Sequence, residues 1–215
     1  VKAEYRHEGA LHDPINGPVV SMPPGVCLNH GVQQEKIKKT RELFEQSPFN
    51  TYTGPKKPDL LIITSSACSL YCREAVHLLG LTRNVGILKM GTTWPLPPRF
   101  LKKHLALAGN ILIVEEVLPF LEENVKIIAA ESSREIGHKK FFGKQTGTIP
   151  AYGELNPDIV AAAIARIFKM EHRSREEAYE RKALQFAERA APRRELTFCP
   201  GCPHRASFWS IHNAL

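Results

Sequence analysis

Two cysteines separated by two residues, Cys199 and Cys202 in "CPGCPHR", are the side chains of this sequence best suited to chemistry. In C-P-G-C the glycine permits a tight turn and the proline stiffens it. Both sulfurs can then point to one centre, as iron–sulfur and zinc knuckles require. One such pair is half a site. His204 and His212 are available to complete it, but C-x2-C-x9-H lacks a second His three to five residues further on. The spacing leaves three readings open: half of a metal site, a redox pair, or a structural turn. A thioredoxin-like motif is disfavoured, because the pair does not follow the first strand of a βαβ unit.

Two further cysteines, Cys68 and Cys72, stand one helical turn apart, a spacing that can ligate a metal from one face. Their neighbours on that face are Ala75, Val76 and Leu79, so they are expected to be small buried hydrophobes. Cys27 is read as a loop residue without a role. Glu115 and Glu116 end a strand, where open α/β sheets place functional groups. Such a pair can position a substrate, do acid–base work, or cap the following helix. The adjoining loop "GTTWPLPP", 91–98, either lines a cleft or simply connects. "TSSACS" stands where G-x-G-x-x-G would follow the first strand, which argues against a dinucleotide site. No P-loop, G-x-S-x-G elbow or H-E-x-x-H is present. A docking or scaffold role is therefore expected of this region.

The elements around these residues are regular from 59 onward. "LLIITSS", "VGILKMG" and "NILIVEEV" are apolar runs that fit strands buried on both faces, and "EIGHKKFFG" holds a fourth. Helices are expected over "ACSLYCREAVHLLG", "PPRFLKKHLALAG", "LPFLEENVKIIAAES" and "DIVAAAIARIF", the last capped by Asn156 with Pro157 in its first turn. Alternation about every 25 residues predicts an α/β fold, a mostly parallel sheet with helices on both faces. Residues 1 to about 30 read as irregular, 33–46 as a short amphipathic helix, and "SPFNTYTGPKKPD" as loop. A charged helical extension follows the sheet region. The final segment exposes Phe208, Trp209, Ile211 and Leu215 without sequence left to cover them.

Composition narrows the classes. The chain has 215 residues, 43% hydrophobic and 24% charged, with a mean hydropathy of −0.24, as expected of a soluble protein. No apolar run reaches the roughly 18 residues of a membrane span, so no membrane partner and a cytoplasmic location are expected. The net charge of +7 is scattered over "KIKKTR", "GPKKP", "LKKH" and "RKA", which argues against a nucleic-acid partner. Five cysteines are too few for a secreted disulfide framework. A start at Val1 suggests a piece of something longer.

"FCPGCPHRASFW" resembles the signature that opens the thiamine diphosphate-binding domain of the indolepyruvate ferredoxin oxidoreductase large (alpha) subunit. "SPFNTYTG", "VGILKMGTTWPLPPRFLKKHL", "ILIVEEVLPFLEENV" and "GTIPAYGELNPDIVAAAI" resemble further stretches of that family in the same order. The resemblance implies an internal fragment. Residues 1–58 would be a linker and the tail of the preceding pyrimidine-binding domain. Residues 59–170 would form a transketolase C-terminal-like α/β domain. Residues 171–215 would be a charged helical linker and the start of the thiamine diphosphate-binding domain. It implies oxidative decarboxylation of an aryl 2-oxoacid to an acyl-CoA in the full enzyme, with electrons passed to ferredoxin. Thiamine diphosphate, Mg2+ and a [4Fe-4S] cluster would serve as cofactors. A second subunit and oligomerisation are also implied.

On the same resemblance Cys199, Gly201, Cys202 and His204 would bind the cofactor, and Cys199 and Cys202 would be metal ligands. Relatives with cluster ligands carry Gly after the second cysteine, where this chain has Pro203 and His204. No catalytic residue is implied within the chain, and the fragment alone is expected to be inactive. The competing reading is a free-standing metal-binding module using Cys199, Cys202 and a His.

Overall fold

Thirteen elements make up the first of two compact units, Val1–His172, of a computed structural model that describes residues 12–13, 17–18, 23, 25–191 and 202–214. They begin with a two-residue pair, β1 (His12–Asp13) and β2 (Gly17–Pro18), and a long helix, α1 (Gly25–Phe44). Next come β3 (Thr51–Thr53), β4 (Leu60–Ser65), α2 (Cys68–Leu78), β5 (Val85–Met90), α3 (Pro98–Leu105) and β6 (Asn110–Val114). The unit closes with α4 (Phe120–Glu131), α5 (Ser133–Ile136), β7 (Lys140–Phe142) and α6 (Pro157–Phe168).

β3 to β7 form one sheet in the order β3-β5-β4-β6-β7, parallel except for the antiparallel edge strand β3. The α/β architecture expected from the alternating pattern is what the chain adopts. Its central strand, β4, is buried along nearly its whole length, so its residues must be apolar on both faces. Leu60 and Ile62 pack with α2 and α6, whereas Leu61 and Ile63 pack with α3 and α4. Each such side chain contributes about 1.5–3 kcal/mol on burial. Asn156 caps α6 as its sequence predicts, accepting from Ile159 N at 2.9 Å. Gly80 ends α2 with φ at +68° and donates to His77 O.

Three expectations need correction. α1 begins at Gly25, eight residues before the predicted helix. No proline interrupts 25–44, and none of these residues is buried, so no apolar stripe marked the start. Cys27 accordingly lies on a helix, exposed, and not in a loop. Within "SPFNTYTG", Thr51–Thr53 pair with Ile87–Lys89, turning Tyr52 inward. Three residues between Pro, Gly and Asn are too few for alternation to register. β6 stops at Val114, so the "EEV" of the predicted strand belongs to the following turn.

The second unit, Arg173–Leu215, contains α7 (Glu177–Ala190) and α8 (Pro203–Ala214). α7 is exposed along its length, and an Arg173–Glu177 ion pair at 3.2 Å supports its first turn. Phe208, Trp209 and Ile211 of α8 are exposed; Leu215 lies outside the described residues. No helix among the described residues is long and apolar enough to cross a membrane.

His104, buried on α3, packs its ring against Tyr52 and Phe100 with centroids 5.4 and 4.3 Å away. Burial holds its pKa below the ordinary value, so the folded state favours the neutral ring. Its contribution is complete above about pH 6.5 and is lost as pH falls through that value, where the unfolded chain takes up the proton first. The stability difference between wild type and His104→Gln, measured by urea unfolding, should shrink between pH 7 and pH 5. An unchanged difference would exclude a neutral, desolvated His104.

Candidate functional site

β4 is the first parallel strand of the chain, and its successors pair on opposite sides of it, β5 on one and β6 on the other. α2, which follows β4, covers one face of the sheet, and α4, which follows β6, covers the other. The two loops therefore diverge at the carboxyl ends of β4 and β6, where open sheets bind ligands. A cleft of about 340 Å³ opens there, lined by Ser65, Ser66, Cys68, Thr93, Glu116 and Val117 among others. The loop 91–98 does contribute to it, through Thr93.

Glu115 is largely committed to architecture. Its buried carboxylate accepts from Leu121 N at 2.7 Å and Glu122 N at 2.8 Å, closing the first turn of α4. The capping alternative for this acid is the one realised. Desolvation holds its pKa above the ordinary value, against the lowering effect of those two amides. Glu116 accepts from Leu155 N at 3.2 Å, tying the cleft to the segment before α6.

The two thiols of α2, of which Cys68 lines the cleft, are not primed for chemistry. Burial pushes Cys68 up to about 11, with the charge of Glu116 adding to the effect, and pushes Cys72 up to about 12. Both stay protonated near neutral pH, whereas a nucleophile or metal ligand must be thiolate. Among the described residues, no group of three or more His, Cys, Asp and Glu side chains is arranged to hold a metal.

Two residues of the cleft have left-handed backbone without being glycine: Ser66 at φ 51° and Val117 at φ 62°. For a β-branched residue this conformation costs roughly 1–3 kcal/mol. Val117 recovers little by packing, since 76% of it is exposed. Leu118, Phe120 and Trp94 are exposed nearby, with Trp94 and Phe120 edge to face at 5.8 Å.

The loops bordering the cleft are held from distant points. Glu45 accepts from Arg99 N at 3.0 Å and Phe100 N at 2.7 Å, capping α3. Asn50 accepts from Gly91 N and Thr92 N at 2.9 and 3.0 Å and donates to Thr92 Oγ1 at 2.7 Å. Glu122, fully buried, accepts from Lys144 N at 2.8 Å and Lys126 Nζ at 2.7 Å. A Cβ at Gly143 would meet its carboxylate at 2.5 Å, so glycine is required there. The sequence reading did not single out Glu45, Asn50 or Glu122 for these roles. Glu122 has Lys126 one helical turn away, but the backbone N–H groups from which the three accept lie 22 to 55 residues away, and no local pattern marks such pairs.

In the second unit, Cys202 and His204 come together, Sγ to Nδ1 at 3.4 Å, at the start of α8. The C-P-G-C segment thus leads into a helix. Arg205 N donates to Cys202 O at 3.0 Å, which fixes the first turn. Cys199 and Gly201 lie outside the described residues. An iron–sulfur cluster of the expected type needs four thiolate ligands. The described residues of this segment supply one thiol and one adjacent imidazole, and so do not fit a cluster by themselves.

Two outcomes follow from this geometry. Val117→Gly should raise unfolding free energy by about 1 kcal/mol in urea, because the strain disappears with the side chain; a loss would show that Val117 contributes packing instead. A thiol reagent applied to native protein at pH 8 should modify Cys27 and spare Cys68 and Cys72 until denaturant is added. Peptide mass mapping reads the result, and rapid labelling of Cys68 would contradict its burial.

No protein-family model matches the chain. The chain is 34% identical over 195 residues to the indolepyruvate oxidoreductase subunit IorA of Pyrococcus horikoshii, covering 91% of this chain and 29% of that protein. The IorA subunit of Methanothermobacter marburgensis is 33% identical over 181 residues, covering 84% of this chain and 27% of the relative. That of Thermococcus kodakarensis is 33% identical over 199 residues. Among solved structures, a 2-oxoglutarate:ferredoxin oxidoreductase from Magnetococcus marinus matches 76% of this chain and 27% of its own. The identity there is 18% and the TM-score 0.48. The chain thus spans about three-tenths of the length of the curated relatives it matches, and over most of its own length it is similar to the indolepyruvate oxidoreductase subunits IorA.

Proposed function

We propose that this chain is a structural and docking stretch of a cytoplasmic 2-oxoacid:ferredoxin oxidoreductase acting on aryl 2-oxoacids such as indolepyruvate. The observation that carries the reading is the 34% identity to an IorA subunit over 91% of the chain. The whole enzyme would decarboxylate the oxoacid oxidatively, release an acyl-CoA and pass electrons to ferredoxin. Thiamine diphosphate, Mg2+ and an iron–sulfur cluster belong, in this reading, to the whole enzyme and not to this stretch alone. The expected second subunit and the oligomeric assembly are likewise properties of the whole.

Three features support a docking role for the α/β unit. The cleft thiol of Cys68 is held protonated, Glu115 is taken up by the start of α4, and Trp94, Val117, Leu118 and Phe120 leave an apolar rim exposed. In this reading Cys199, Gly201, Cys202 and His204 would bind the cofactor in the whole enzyme. The approach of Cys202 Sγ to His204 Nδ1 also favours a second reading, a free-standing metal module. Stoichiometric zinc or iron in the purified chain, lost in Cys202→Ser, would select that one.

The chain alone should give no CoA-dependent reduction of a viologen dye with indolepyruvate, whereas the complete reading frame expressed with its partner subunit should. The coding sequence should continue past Leu215 into a Gly-Asp-Gly segment. Turnover by the isolated chain, or a stop codon directly after Leu215, would overturn the proposal.

A further inference from the structure

A second recess, which shares no lining residue with the cleft, lies on the sheet face covered by α2 and α6. Strand periodicity sets its floor. Tyr52 of β3 turns to the opposite face, so Thr51 and Thr53 point to this one. Thr51 is the cross-strand partner of Lys89, and Thr53 that of Ile87. α2 supplies the wall through Ser69, Leu70 and Arg73, spaced three and four residues apart on one side of the helix. The enclosed space is about 100 Å³, room for a single small group and not for a whole nucleotide.

The chemistry of this recess is one-sided. Arg73 and Lys89 bring two positive charges to it, and neither side chain has an ion-pair or hydrogen-bond partner among the described residues. The hydroxyls of Thr51 and Thr53 are also without partners there. Ser69 differs, since its hydroxyl donates to Ser66 O at 2.7 Å and is taken up within the helix start. The free groups are therefore all donors, two of them charged. Concave placement of like charges beside the apolar side chains of Leu70 and Ile87 focuses their field on an anion. A phosphate group carries up to two negative charges and three acceptor oxygens, and a guanidinium meets two of them at once. A carboxylate would leave one cation and at least one hydroxyl unused.

We propose that the recess formed by Thr51, Thr53, Arg73 and Lys89 binds the phosphate group of a phosphorylated ligand. The site is independent of the switch-point cleft and of the C-P-G-C segment, and it does not rest on the oxidoreductase reading. Its ligand is either free phosphate or the phosphate end of a larger ester.

The test uses the full chain, isotopically labelled, titrated with inorganic phosphate and separately with glycerol 3-phosphate, with backbone amide resonances followed by NMR. Saturable shifts at Thr51, Thr53, Arg73 and Lys89 are expected. Arg73→Gln combined with Lys89→Gln should weaken binding by about tenfold or more without changing the melting temperature. Thr51→Val, which keeps both charges, should weaken it several-fold and separates specific donation from bulk attraction. Equal affinity for the two probes assigns free phosphate, and tighter binding of the ester assigns a phosphorylated ligand. Unsaturable shifts spread over "KIKKTR" and "LKKH" as well, or an affinity unchanged in the double variant, would overturn the site.

Discussion

Buried acceptors that close on free backbone N–H groups, most of them far along the chain, hold this domain's loops in place. A helix leaves its first N–H groups unpaired, and a strand-end loop leaves several more. Glu115 takes two of them at α4 and Glu45 two at α3, while Asn50 takes two in the loop after β5 and Glu122 two after Gly143, those of Lys144 and Gln145. A carboxylate or amide can be buried only if its lone pairs are used, and an amide N–H only if it is met. Each need satisfies the other. The arrangement ties the tail of α1 to the β5–α3 connection, and α4 to the segment after β7.

That economy shapes the cleft at the divergence of β4 and β6. Two acidic side chains and the thiol of Cys68 stand there, in the place where α/β sheets often do chemistry, but hydrogen bonding and desolvation occupy them. What remains available is shape: two left-handed non-glycine residues and an apolar rim. Strain of this kind persists only when the surroundings over-determine it. Glu115 and Glu116 flank Val117 on the chain side and are both anchored by backbone amides. Such a surface suits a partner that must always meet it in the same form.

Much of this was legible in the sequence, because apolar runs such as "LLIITSS" and "NILIV" have no stable place except inside a covered sheet. The Asn156-Pro157 start and the Gly80 stop are local signals, and the chain obeys both. β3 was not legible. Its pairing depends on Gly86, where a Cβ would fall 2.5 Å from the Tyr52 hydroxyl, a requirement that lies 34 residues away. The first eight residues of α1 escaped for the opposite reason: a helical stretch with no buried residue has no apolar face to mark where it begins. In the candidate site, the strand-end position of Glu115 and Glu116 was readable and their occupation was not, since it depends on which amides the fold brings within reach.

Both outermost strands of the sheet, β3 and β7, are only three residues long, and β3 runs against its neighbours. An incoming chain finds too few unpaired backbone groups at either margin to lengthen the sheet in register. Any assembly involving this domain must be built from side chains at loops and helices. Its specificity is then written in residue identity and not in backbone geometry, and a partner can change by surface substitution alone while the sheet beneath stays as it is.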